Sequence, residues 1–395
     1  MRVGLVLGAG GVLGGAWLTG GLHALARETE WDPGSAEYIV GTSAGSMVGA
    51  LVAAGVPPWF MVAHSRGETF AGLSGPDGRP AADADRAAGA VFRLHRGLPA
   101  IGPGSLRLAF TALANPLRHT PLQMLAGWLP AGLVSTESLR RVVGRAVSGR
   151  WVDHPNFWAV ACDYESGRRT AFGRASAPPA EIGDAVAASC AIPGFYRPVR
   201  IGGRRYVDGG VCSPSNLDLV AGHGLDLVIC LNPLSAGGGG VWGGGGERGG
   251  AGERGGAGER GAEGERDGRP ERGGRWNGPP DPRDWPARIS RRANGRRLAH
   301  ELRKVRRFGT PVLLIEPTAD DHLVMGRNLM QSSRRRDVIE TAERTVLDQL
   351  RRPEARALLE GLPQGEPHKI RRPRGLPSSW PPLESALKAA GDRAA

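Results

Sequence analysis

Ser43 is the residue best placed to do chemistry. It lies in Tyr38-Ile39-Val40-Gly41-Thr42-Ser43-Ala44-Gly45-Ser46-Met47-Val48-Gly49-Ala50: a β-branched run, a G-x-S-x-G turn, then small helix formers. A strand ending at the serine and a helix starting just after it must turn so sharply that flanking side chains would collide, hence Gly41 and Gly45. Such a nucleophile elbow leaves Ser43 at a strand end. There it faces the unpaired N–H groups and positive dipole end of a helix, which favour a developing oxyanion. With 62 glycines among 395 residues the motif alone is weak, and its strand–turn–helix setting is what gives it weight.

Asp208 is the second chemical candidate, in Asp208-Gly209-Gly210 at the end of a hairpin. Asp-Gly-Gly is an ordinary turn sequence whose aspartate mostly caps its own backbone. What distinguishes it is the run Cys190-Ala191-Ile192-Pro193-Gly194-Phe195-Tyr196-Arg197-Pro198-Val199 before it and Val211-Cys212-Ser213-Pro214-Ser215-Asn216 after it. The third candidate is Gly8-Ala9-Gly10-Gly11-Val12-Leu13-Gly14-Gly15, which follows the apolar run Val3–Leu7. A dinucleotide-binding turn fits the spacing of Gly8, Gly10 and Gly14, but the next strand ends in Gly41-Thr42-Ser43, where such a site wants an acidic residue for the ribose. A secretory leader would use Arg2, the apolar stretch and Ala24-Leu25-Ala26, yet the glycines cluster as a loop. An oxyanion loop fits best, with the backbone N–H groups of Gly10 and Gly11 open beside Ser43.

Together the blocks resemble the patatin-like phospholipases: Gly8-Ala9-Gly10-Gly11 with Gly14, then Gly41-Thr42-Ser43-Ala44-Gly45, then Asp208-Gly209-Gly210, with Ala188-Ser189-Cys190-Ala191-Ile192-Pro193 in support. The resemblance covers roughly Met1 to Pro233 and resumes near Val312. It implies a three-layer α/β/α sandwich around a mostly parallel sheet, and hydrolysis of phospholipid or lysophospholipid acyl esters by a serine–aspartate dyad without a cofactor or metal. By position, Ser43 would be the nucleophile, Asp208 its base, and Gly10 and Gly11 the oxyanion donors. Leu13 departs from the family pattern, which often has Arg or Lys there. The rival enzyme is a Ser-His-Asp hydrolase, for which His223 and His322, each following an aspartate, are the first candidates. Its elbow ordinarily comes after several strands, whereas Ser43 follows what reads as the second. A non-catalytic scaffold that holds membrane or nucleic acid is the remaining alternative.

The elements that must position these groups are legible in outline. Strands are predicted at Val3–Leu7, before Gly41, at Leu227–Leu231 and at Val312–Ile315, with hairpins at Trp158–Asp163/Arg168–Gly173 and Arg197–Ile201/Arg204–Val207. Helices are predicted at Ala16–Arg27, from Ala44, from Pro57-Pro58, from Thr136 through Val147, over Glu181–Ser189 and over Met325–Leu350, ending at Pro353. Between Leu106 and Leu133 apolar residues recur at near-helical spacing, broken by Asn115-Pro116, Thr120-Pro121 and Gly132, as either a helical layer or a lid. From Gly72 to Gly104 regular patterning is lost.

The main part of the domain is expected at 1–236, with 284–352 completing it. Between them, 237–283 carries a Gly-Glu-Arg-Gly-Gly-Ala repeat that buries almost nothing and reads as a flexible insertion. Beyond 353, proline and basic residues suggest a loose tail. The composition, 40% hydrophobic and 23% charged, suits an enzyme-sized globular chain, and the net charge of +12 favours anionic partners. Trp285–Phe308 is a basic helix candidate whose Arg288 to Arg307 segment would touch anionic lipid peripherally; no recognisable nucleic-acid motif accompanies it. Cys162, Cys190, Cys212 and Cys230 lack metal or redox spacing and read as reduced core residues of a cytoplasmic protein.

Overall fold

The computed structural model describes residues 1–66, 94, 102–115, 119–147, 149–235 and 285–367. The Gly/Glu/Arg-rich insertion, most of the stretch 72–104 and the tail from 368 onward lie outside the described residues. Among the described residues eight strands form one sheet: β1 (Val3–Leu7), β2 (Tyr38–Thr42), β3 (Phe157–Asp163), β4 (Arg169–Phe172), β5 (Val199–Ile201), β6 (Arg204–Asp208), β7 (Leu227–Leu231) and β8 (Val312–Ile315). The parallel part runs β3-β2-β1-β7-β8. Every residue of β1, β3, β7 and β8 is buried, as expected of parallel strands covered on both faces.

The helices are α1 (Gly11–Thr29), α2 (Ala44–Ala53), α3 (Pro58–Arg66), α4 (Leu106–Ala114), α5 (Pro121–Trp128), α6 (Glu137–Ala146), α7 (Ile182–Ser189), α8 (Trp285–Arg306), α9 (Ala319–Met325), α10 (Arg335–Leu350) and α11 (Pro353–Leu359). Alternation along each strand divides the core. Leu5, Leu7, Ile39 and Ile229 face one side, against Leu18, Leu22 and Leu25 of α1 and Val338, Ile339 and Val346 of α10. Val6, Val40, Val228 and Cys230 face the other, against Leu298, Leu302 and Val305 of α8. The fold is therefore α/β, with helices on both faces of a mostly parallel sheet.

Two expected elements differ. Helix α1 begins at Gly11 rather than Ala16, because the glycine loop winds straight into the helix from Gly10 as its cap. The helix expected over Met325–Leu350 starts late: Met325 is the last residue of α9, which Gly326, at φ +64, closes, and α10 starts only at Arg335. Pro353 opens α11 as its first residue, a position where a missing N–H costs nothing.

Strand β3 decides where the catalytic candidates meet. Its residues 159–162 pair with β4 along one edge, so the partners on the other edge are β2, up to Thr42 opposite Val160, and then β6, from Asp208 opposite Ala161. Strand β2 stops and β6 takes over that edge at the next residue. The chain leaving β2 at Ser43 thus meets the end of β6 at Asp208.

Candidate active site

Ser43 has φ 53 and ψ −122, a left-handed backbone that a non-glycine residue adopts only when its surroundings impose it. The imposition is visible in the glycines beside it. A Cβ on Gly45 would stand 2.0 Å from the Leu7 carbonyl oxygen, and one on Gly41 2.4 Å from the Gly45 carbonyl oxygen. The Ser43 carbonyl accepts from the Ser46 N–H at 2.8 Å, which starts α2. Its own N–H donates to Ser189 Oγ at 2.9 Å, and Ser189 in turn donates to the Val160 carbonyl at 2.5 Å. The strained turn is thereby tied to the last residue of β3 that β2 reaches.

The Ser43 hydroxyl donates to Asp208 Oδ2 at 2.6 Å. Asp208 Oδ1 accepts from the Gly210 N–H at 2.7 Å, and the Asp208 N–H donates to the Ala191 carbonyl at 2.9 Å. Both side chains are buried. Removal from water pushes the Asp208 carboxyl up to about 6, although the hydrogen bonds from Ser43 and Gly210 pull the other way. Cys190 lies against the pair, and burial, then the Asp208 charge, push its thiol up, so it stays neutral. A buried carboxylate within hydrogen-bond reach of a serine hydroxyl can take the proton of an attacking oxygen.

The glycine loop lies alongside. A Cβ on Gly45 would also meet the Gly8 carbonyl at 2.7 Å, and one on Gly210 would stand 3.4 Å from Ala9 Cβ, so residues 8 and 9 border both the elbow and the Asp-Gly-Gly turn. The N–H groups of Ala9 and Leu13 are taken by the carbonyls of Pro214 and Leu329. Those of Gly10, Gly11 and Val12 have no backbone acceptor outside the helix among the described residues, and a helix's first N–H groups have none within it. Gly11 is at φ +62, beneath Leu329 and Met330. Leu13 is fully buried in the core.

No histidine hydrogen-bonds to Asp208 among the described residues. His223 meets the Tyr38 ring at a tilt and the Trp158 ring edge to face, beside the start of β2, one five-residue strand, about 16 Å, from Ser43. His322 lies in α9, which packs on α10. The described residues contain no group of three His, Cys, Asp or Glu arranged to hold a metal ion.

Further polar groups brace the site from behind. Asn216, itself at φ 52, donates through Nδ2 to Thr42 Oγ1 at 2.9 Å and accepts from Arg169 at 3.1 Å. Arg169 also grips both oxygens of Asp218, which accepts from Lys304 of α8 at 3.0 Å. Burial works against the Asp218 charge, but these cations hold the carboxyl down at about 2. Fully buried Glu301 of α8 accepts from Ser215 Oγ at 2.5 Å and the Leu217 N–H at 3.0 Å.

A family model for patatin-like phospholipase matches residues 5–221, more than half of the 395-residue chain. That span runs from β1 through the elbow and the Asp-Gly-Gly turn to the segment braced by Asp218. The chain belongs to the patatin-like phospholipase family. Membership makes it, in general terms, a hydrolase of lipid acyl bonds. The Ser189-Cys190-Ala191 block, visible in the sequence only as a supporting family feature, acquires a physical reason here: Ser189 holds the Ser43 N–H and Ala191 that of Asp208. The roles of Asn216, Leu329 and Met330 carry no sequence signal, since each depends on segments far apart in the chain.

Proposed function

We propose that the protein is a serine acyl hydrolase that cleaves phospholipid or lysophospholipid acyl esters through an acyl-enzyme on Ser43, with Asp208 as its base. The observation that carries this reading is the 2.6 Å hydrogen bond from Ser43 Oγ to Asp208 Oδ2 in a buried setting. Oγ attacks the ester carbonyl carbon while Oδ2 takes its proton, and the N–H groups of Gly10 and Gly11 receive the oxyanion. Collapse expels the alcohol, which leaves with the proton returned by Asp208. Water then attacks the acyl carbonyl carbon, Asp208 accepting its proton; collapse breaks the bond to Oγ, which takes that proton back from Asp208 as the fatty acid departs. A carboxylate is a weak base for a serine hydroxyl. Burial that lifts it toward 6 narrows the mismatch, while the oxyanion donors carry much of the remaining stabilisation.

The test combines fluorophosphonate labelling with hydrolysis of p-nitrophenyl esters, phospholipids and lysophospholipids. Ser43→Ala should lose labelling and activity, and Asp208→Asn should lose about 10²–10⁴-fold in hydrolysis. His223→Ala and His322→Ala should stay within a few-fold of wild type. A folded histidine variant as inactive as Ser43→Ala would replace the dyad with a triad.

A further inference from the structure

Helices α4 and α5 are built inside out. In α5 the side facing the protein carries Gln123, Ala126 and Gly127, while Leu122, Leu125 and Trp128 point to the outside. In α4 the inner side is Leu108, Ala109 and Ala112, and the outer side is Leu106, Phe110 and Leu113. An ordinary surface helix turns polar residues outward, and single exposed leucines need no explanation, but a run of this size does. Phe110 is 58% exposed, Leu125 56% and Trp128 46%. The Phe110 and Trp128 rings lie 5.8 Å apart, edge to face, so the two helices present one continuous apolar surface.

That surface is fixed to the catalytic end of the sheet. Thr120, the cap of α5, donates to the Val211 carbonyl at 2.7 Å, three residues beyond Asp208. Gln123 donates to the Gly167 carbonyl at 2.7 Å, and Tyr164 OH donates to the Ala126 carbonyl at 2.7 Å. The charge pattern says what it meets. No Asp or Glu occurs from residue 101 to 136, whereas Arg107 and Arg118 do. Arg107 is exposed on α4, and Arg296 and Arg297 are exposed near the buried Glu301, which grips the Ser215–Leu217 segment at the same end of the sheet. Glu165, at the cap of α4 through Ser105, is neutralised by Arg205, and an apolar, tryptophan-bearing surface whose own segment is basic and free of acidic residues matches the interface of a bilayer with anionic lipid.

We infer that the outer face of α4 and α5, with Leu106, Phe110, Leu113, Leu122, Leu125 and Trp128, docks on an anionic lipid leaflet and sets the Ser43 end of the protein against it. The inference rests on the acyl hydrolase reading for its purpose, but binding is measured without turnover. Full-length protein is sedimented with phosphatidylcholine vesicles containing phosphatidylglycerol, comparing wild type with F110S/L125S/W128S and, on other positions of the same face, L106Q/L113Q/L122Q. Both variants should lose at least about 100-fold in vesicle partitioning while keeping the wild-type melting transition and fluorophosphonate labelling. Wild-type binding by both variants overturns the inference. So does a wild-type dimer that both variants convert to monomer, which would assign the face to a second copy. A large drop in melting temperature in both would overturn it too, because the face would then be part of the protein's own packing. Failure of wild type to label would remove the hydrolase reading and leave the binding result standing.

Discussion

Replacing Asp208 with asparagine should make the protein more stable at neutral pH while it cuts hydrolysis by about 10²–10⁴-fold. The carboxyl is buried and raised from 3.8 to about 6, so between those values the folded protein keeps a proton that the unfolded chain has released. Stability therefore falls as pH rises through this window, and is fully reduced above about 6. The cost is about 3 kcal/mol at 1.36 kcal/mol per pH unit. Asparagine is neutral at every pH and nearly isosteric. Its carbonyl can still accept the Gly210 N–H, and its amide can donate to Ser43 Oγ in place of the present bond. Urea unfolding of wild type and Asp208→Asn at several pH values should give curves that coincide near pH 3 and separate by about 3 kcal/mol above pH 7, the variant being more stable. Ser43→Ala serves as the control. It removes a hydrogen bond that favours the carboxylate, so its stability should fall below wild type at neutral pH but approach it in acid. Parallel pH curves, or a less stable Asp208→Asn at neutral pH, would refute the desolvation argument.

Three further outcomes follow from the same contacts. Ser189→Ala leaves the buried Ser43 N–H and the Val160 carbonyl without their shared partner; it should cost about 1–3 kcal/mol in chemical unfolding and lower kcat more than it alters KM for a soluble ester. Glu301→Ala uncaps Ser215 Oγ and the Leu217 N–H in the core and should destabilise by about 2–4 kcal/mol, read as a lowered urea midpoint. Arg296, Arg303 and Arg307 are exposed on or just beyond α8, so changing all three to glutamine should weaken binding to anionic vesicles by tenfold or more at low salt, at about 1 kcal/mol per residue near the surface. Added salt should erase the difference, and a salt-independent difference would argue against an electrostatic contribution.

Local signals were legible wherever the chemistry is local. Gly41, Ser43 and Gly45 read as an elbow because each glycine is demanded by atoms a few residues away or on the adjacent strand. The buried strands read directly from their apolar runs. What could not be read was anything decided by two distant segments. The edge of β3 passes from β2 to β6 between Val160 and Ala161, and no periodicity records that handover, yet it is the reason that residues 43 and 208 touch. The basic helix shows the same limit. Its arginines read as a charged surface, but the residue that fixes its position is acidic, and Glu301 looks unremarkable among basic neighbours until Ser215 and Leu217 are found around it. The break at Gly326 leaves no trace in the pattern, because apolar residues on both sides keep a helical rhythm that the chain itself does not.

In the proposed mechanism, the burial that makes Asp208 costly is also what makes it useful as a base. In water a carboxylate near 3.8 gains little by taking a proton from a serine, and solvent competes for both groups. Here three backbone contacts hold the pair in place: the Ser43 N–H on Ser189, the Asp208 N–H on Ala191, and the Gly210 N–H on Oδ1. Because the groups are held by the chain, the carboxylate cannot recover its lost hydration by moving, and it stays raised toward 6. Ester hydrolysis should consequently rise with pH as the carboxyl loses its proton near 6, and level off above it. A substitution that let water reach Asp208 would move that midpoint toward 3.8 and slow the plateau rate, although the protein became more stable. Loss of activity with gain of stability is the signature of a site whose strain is maintained by the fold around it. A site in which Asp208 merely capped its own turn would show neither the raised midpoint nor the opposed changes.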